Sequence, residues 1–92
     1  MRLGRGWKTM KARKLLAKVL ASPANVRFKE MQKLVEAFGF QLFRVTGSHH
    51  IYGRAGIMEQ LNLQKVGGKA KPYQIRQFLA IVERYNLQIK EH

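Results

Sequence analysis

The apolar residues of this chain change their spacing twice along its length, and that change restricts the available folds more than any other feature. From Thr9, Ala12, Leu15, Leu16 and Val19 fall at i, i+3, i+4 and i+7, with Lys11, Lys14 and Lys18 around the opposite side, which predicts an amphipathic helix. Ser22-Pro23 ends it, because the residue before a proline is pushed out of the α region. Met31, Leu34, Val35 and Phe38 repeat the spacing and predict a second helix from about Phe28 to Phe38, with Gly39 as its stop. From Phe40 to Val45 the chain becomes aromatic and β-branched over too few residues for a helix, so a strand is predicted. Thr46-Gly47-Ser48 is then a turn, and His49 to about Arg54 the return strand of a hairpin. An alternating stretch predicts a third strand over roughly 60–66. Gly67-Gly68-Lys69-Ala70-Lys71 reads as a basic, mobile loop. Helical spacing then returns: Pro72 suits a first helical position, and Ile75, Phe78, Leu79 and Val82 share the inner face of a helix reaching about Asn86. Residues 1–7 read as a frayed leader, and the tail from Leu87 to His92 receives no assignment.

This order makes an α+β protein of one domain. Without its first helix the pattern is α-β-β-β-α, the order of a double-stranded-RNA-binding domain, whose helices cover one face of a three-stranded antiparallel sheet. A basic N-terminal extension with a helix is expected over 1–25 and the α-β-β-β-α domain over 26–92. Phe28, Met31, Phe38, Phe40, Phe43 and Phe78 are assigned to the core, with Met58 as a gap filler.

Charge narrows the partner. Eighteen Lys and Arg stand against five acidic residues, a formal charge of +13, and the first 29 residues hold nine basic side chains and no acidic one. Such asymmetry predicts a negative partner, a nucleic acid or an acidic protein, although charge also serves solubility and ribosomal proteins share it. Without cysteine the chain can form neither a disulfide nor a thiolate metal site. No apolar run approaches the about 20 residues that span a bilayer, and a soluble, cytoplasmic protein with no membrane partner is expected.

The segment richest in chemistry is Gly47-Ser48-His49-His50-Ile51-Tyr52. Histidine changes charge near neutral pH and can take or give a proton there. Alternation along a strand puts His49 with Ile51 on one face and His50 with Tyr52 on the other, and leaves open which face is buried. One histidine packing at the sheet edge and one in solvent would be the structural alternative. A metal site is not expected, since adjacent strand residues diverge and the chain has no Cys and few carboxylates. A nucleophilic triad is equally poor without Asp or Cys. General acid–base catalysis on RNA remains, because RNA carries its own nucleophile in the 2′-hydroxyl and needs a base, an acid and cationic support, with no cofactor. Lys69, Lys71 and Arg76 flank the start of the last helix, where free N–H groups favour phosphate. Arg44 and Arg54 lie on the strands either side of the turn and could reach the same phosphate, and Ser48 of the turn joins these phosphate-binding candidates. Tyr52 and Tyr73 could stack on bases or pack in the core.

With these residues the chain resembles the HicA (YcfA-like) family of bacterial toxins. The likeness rests on the Gly-Ser-His turn with Ile51 and Tyr52, on the junction Glu36-Ala37-Phe38-Gly39-Phe40, and on the segment from Lys69 to Leu79, and it covers roughly residues 26–88. The resemblance implies a dsRBD-like endoribonuclease (an mRNA interferase) acting on mRNA and neutralised by a HicB-type antitoxin. It implies His49 as the catalytic histidine, with His50 second. The free chain is expected to be a monomer. The chain departs from the family's pattern in its basic extension and in Gly67-Gly68-Lys69, where many members carry a histidine. If that histidine assists catalysis, either Lys69 or Lys71 takes its place here or activity is reduced. A non-catalytic RNA-binding module of the same fold and a ribosome-associated protein are the competing readings.

Overall fold

The computed structural model describes the backbone of residues 4–90 and the side chains of residues 10–90. Helix α1 (Gly4–Ala21) is followed by a 3-10 turn (Pro23–Asn25) and helix α2 (Phe28–Ala37). Strands β1 (Gln41–Thr46), β2 (His49–Gly53), β3 (Leu61–Val66) and β4 (Lys69–Ala70) then lead to helix α3 (Pro72–Arg84). The fold is α+β, with a four-stranded antiparallel sheet in the order β1-β2-β3-β4.

Several boundaries differ from the sequence-based expectation. Helix α1 begins at Gly4, so the predicted leader is helical over 4–7 and its first three residues lie outside the described ones. The expected mobile loop is a tight hairpin: Val66 pairs with Lys69 around Gly67-Gly68, whose φ angles are +57° and +77°. Two successive positive φ values are what a two-residue hairpin turn demands, and glycine meets them without steric cost. The sheet therefore has four strands where three were predicted. Helix α3 stops at Arg84, two residues before Asn86, which adopts φ +50°.

One core joins the elements. Met31, Leu34 and Val35 of α2 meet Tyr52, Leu61 and Leu63 of the sheet and Ile75 and Phe78 of α3, all essentially without solvent contact. Phe78 receives Phe38 and Phe40 edge-on, at ring-centroid distances of 5.4 and 5.8 Å. Val19 of α1 belongs to the same core, with Leu15 and Leu16 half-buried against it. The unassigned tail is docked: Leu87 is buried, and the Lys90 N–H donates to Ala37 O at 2.8 Å.

Two core assignments fail. Phe43 is 59% exposed, because a register shift between Leu42 and Arg44 makes it the extra residue of a β-bulge. Met58, in the connection between β2 and β3, is 93% exposed. Among the described residues no helix is long and apolar enough to cross a membrane.

Candidate functional site

The hairpin turn is Gly47-Ser48, with Thr46 paired to His49 and Gly47 at φ +60°. Tyr52 settles which face of β2 is buried. It has no solvent exposure and its hydroxyl accepts a hydrogen bond from Gln32 Nε2 of α2 at 3.1 Å, so its side faces the helices. Burial pushes its phenol pKa up, against the Gln32 hydrogen bond, which lowers it. Tyr52 is thus a core residue and no base-stacking platform. Tyr73 is half exposed, with the Lys71 ammonium 5.8 Å from its ring centroid.

His50 shares the Tyr52 face. Its ring lies 4.7 Å from that of Phe28, and its Nδ1–H donates to Ser48 O at 3.2 Å. It lines a cleft of about 580 Å³ together with Arg27, Lys29, Gln32, Ser48 and Lys65. The three cations come from three parts of the chain: the lead-in to α2, α2 itself and β3. The β3–β4 turn holds that lead-in in place, since Phe28 N donates to Gly68 O at 2.9 Å and Ala70 N to Val26 O at 3.2 Å. Arg27, Lys29 and Lys65 were not singled out from sequence. Nothing in their local spacing marks them, because the docking of this turn brings Arg27 and Lys29 beside His50 and the β2–β3 pairing brings Lys65.

His49 projects from the opposite face, which no helix covers. Its Nδ1 is 3.0 Å from Oδ1 of Asn62 on β3. An amide oxygen can only accept, so Nδ1 carries the proton and Nε2 of the neutral ring keeps its lone pair. Beside it, Gln64 Nε2 donates to Ser48 Oγ at 3.3 Å, while the Gln64 N–H donates to Oε1 of buried Gln74 at 2.8 Å. The start of α3 is thereby tied to the strand that faces His49. Asn62 was also missed in sequence, and it is recognised only through the β2–β3 register, Ile51 to Asn62 and His49 to Gln64.

The other expected site residues are spread more widely. Arg44 pairs with Ile51 and so lies on the His49 face, as does Lys69, which pairs with Val66. Lys71 is the N-cap of α3, and Arg76 is exposed in its second turn. Arg54 is not brought to the turn: it follows Gly53 at the far end of β2 and lies against Gly39. Among the described residues no three His, Cys, Asp or Glu side chains converge.

Comparison with curated proteins and with solved structures finds no match. A family model described as the HicA toxin of bacterial toxin–antitoxin systems does match, over residues 28–83. That span runs from the first residue of α2 almost to the end of α3 and includes both histidines and the whole sheet. With more than half of its length so matched, the chain belongs to the HicA family of bacterial toxin–antitoxin toxins.

Proposed function

We propose that this toxin is an endoribonuclease that cleaves mRNA by metal-independent acid–base catalysis at His49 and is neutralised by a HicB-type antitoxin. The observation that carries the reading is the His49–Asn62 contact of 3.0 Å on the uncovered sheet face. It orients the imidazole, fixes its tautomer and leaves Nε2 free to take the proton of a 2′-hydroxyl as that oxygen attacks the adjacent phosphorus. The same nitrogen, once protonated, can return that proton to the leaving 5′-oxygen as its bond to phosphorus breaks. Arg44 and Lys69, on the same face, are suited to the charge that builds on the phosphoryl oxygens. Lys71, the N-cap of α3, and Arg76, exposed in its second turn, suit a neighbouring phosphate by their charge. Residues 1–25 act in this reading as a basic addition to the 26–92 unit.

The test compares wild type and His49→Ala on mRNA in EDTA. Proton transfer by one positioned imidazole contributes about 10²–10⁴-fold, and a loss of that size is expected. Equal cleavage by both proteins, or none by wild type, would sink the assignment. The cleft of Arg27, Lys29 and Lys65 around His50 lies on the other face of the sheet from His49 and favours the second reading, an RNA-binding module without turnover. In that case charge reversal at Lys29 and Lys65 would weaken RNA affinity, and His49→Ala would leave it nearly unchanged.

A further inference from the structure

The end of the sheet away from the Gly47-Ser48 turn carries a second constellation, which the proposed chemistry does not use. The bulge at Phe43 lays its ring across β2, so that a Cβ on Gly53 would come within 2.4 Å of it. Residues 49, 51 and 53 of a strand share one face. The ring therefore lies on the same uncovered face as His49, about 13 Å along the strand at 3.3 Å per residue. Although aromatic, it is 59% exposed.

Beside this ring the chain leaves β2 at Arg54. The Arg54 Nε is buried and has no hydrogen-bond partner. Gly39, at φ +90°, leaves room for Arg54 and Lys90 to crowd one spot: a Cβ there would be 2.9 Å from Arg54 Nε and 2.7 Å from Lys90 Cε. Among the described residues neither cation is paired with a carboxylate, and Glu59, which borders the same cleft, is held by Arg84 and Tyr85. Phe43, Gly53, Arg54 and Lys90 line this cleft of about 450 Å³.

The Lys90 stem packs beside the Arg54 side chain, so two cations without a carboxylate partner among the described residues border one cleft, which favours an anion at their exposed ends. A phosphate supplies that anion, and the exposed ring next to it offers a flat apolar surface. One molecule provides both a phosphate and a flat partner at a fixed short separation: a nucleotide whose base is unpaired. We infer that Phe43, Arg54 and Lys90 form a nucleotide subsite for single-stranded RNA, the base stacked on Phe43 and its phosphate between the two cations. The inference rests on the RNA-cleaving reading and deepens it. A nucleotide held at this fixed distance from His49 determines which linkage reaches the imidazole.

The probe is a short RNA methylated at every 2′-oxygen but one, so that a single linkage can be cleaved and its position defines the register. An abasic residue is moved through the strand relative to that linkage. With wild type, kcat/KM falls about 5- to 150-fold at one offset and little elsewhere, the scale of one base–aromatic stack. Phe43→Ala lowers kcat/KM for the intact strand by a similar factor and is indifferent to the abasic position. Phe43→Trp retains activity, and its fluorescence is quenched by a fully methylated strand. Arg54→Gln flattens the dependence of log affinity on log salt by about 0.7, one phosphate of a single strand. Phe43→Ala that keeps wild-type kcat/KM, or keeps the abasic offset, overturns the subsite while the cleavage reading stands. A wild-type protein inert toward the unmodified RNA overturns that reading and the subsite with it.

Discussion

His49 and His50 are neighbours in the chain, yet one meets Asn62 on an uncovered face and the other meets Phe28 in a cationic cleft. The difference comes from strand alternation alone, which sends consecutive side chains to opposite faces. Two glycines show how closely the surrounding residues are placed. Gly53→Ala puts a methyl within 2.4 Å of the outer edge of the exposed Phe43 ring and should destabilise the protein by about 0.5–1.5 kcal/mol, the cost of pushing that ring off its rotamer. In a Phe43→Ala background the same substitution should cost almost nothing, and urea unfolding of the four proteins checks this. Gly39→Ala combines a left-handed φ of +90° with a crowded Lys90 side chain. The backbone term alone is expected to cost about 1–2 kcal/mol. Its larger effect should be a displaced Arg54, visible as altered chemical shifts at the far end of β2.

At the scale of elements, α1 is joined to α2 by Lys18 and Glu30, whose Nζ and Oε2 are 2.8 Å apart, while Oε1 accepts the Arg27 N–H at 2.9 Å. The Lys18 hydrogen bond first, and the Arg27 backbone hydrogen bond second, hold the Glu30 carboxyl below its ordinary 4.5. A carboxylate whose folded pKa is depressed stabilises the fold above its unfolded pKa, and that contribution is lost as pH falls through the folded value. The stability gap between wild type and Glu30→Gln should therefore be fully present at pH 7 and shrink below pH 4.5. Partly exposed pairs of this kind contribute about 0.2–1 kcal/mol, so the gap should be small, and denaturant titrations across pH would reveal it. Glu59 binds α3 to the β2–β3 connection in a comparable way, through Arg84 and the Tyr85 hydroxyl. The Tyr85 bond lowers the Glu59 carboxyl pKa most and raises that of the phenol.

For the whole molecule, α1 is more than a carrier of positive charge. Val19 is 1% exposed and sits in the common core, although the family match begins only at residue 28. Burying one valine contributes about 1.5–3 kcal/mol. Removing residues 1–25 should thus lower stability by at least that amount, besides weakening RNA binding. A truncated protein with an unchanged urea midpoint would mean that the first helix serves binding alone. Affinity for RNA should fall steeply with salt for the full chain, and the slope should be shallower without the basic segment.

Periodicity along the chain determined the kinds of element, their order and most of the core, because a helix face and a strand face each repeat at their own spacing. Met31, Leu34, Val35, Ile75 and Phe78 were legible in this way and are all buried. The Gly47-Ser48 turn and the strand that carries both histidines were legible for the same local reason. Phe43 was misread because a bulge breaks alternation without a mark in composition, and the Gly67-Gly68 hairpin because a loop and a tight turn share residues. What only the tertiary structure decided was adjacency. It placed Asn62 on His49, Arg27, Lys29 and Lys65 around His50, and Lys90 beside Arg54. These contacts depend on strand register and on how turns and tail dock, which are properties of the packed chain and leave no periodic trace in its sequence.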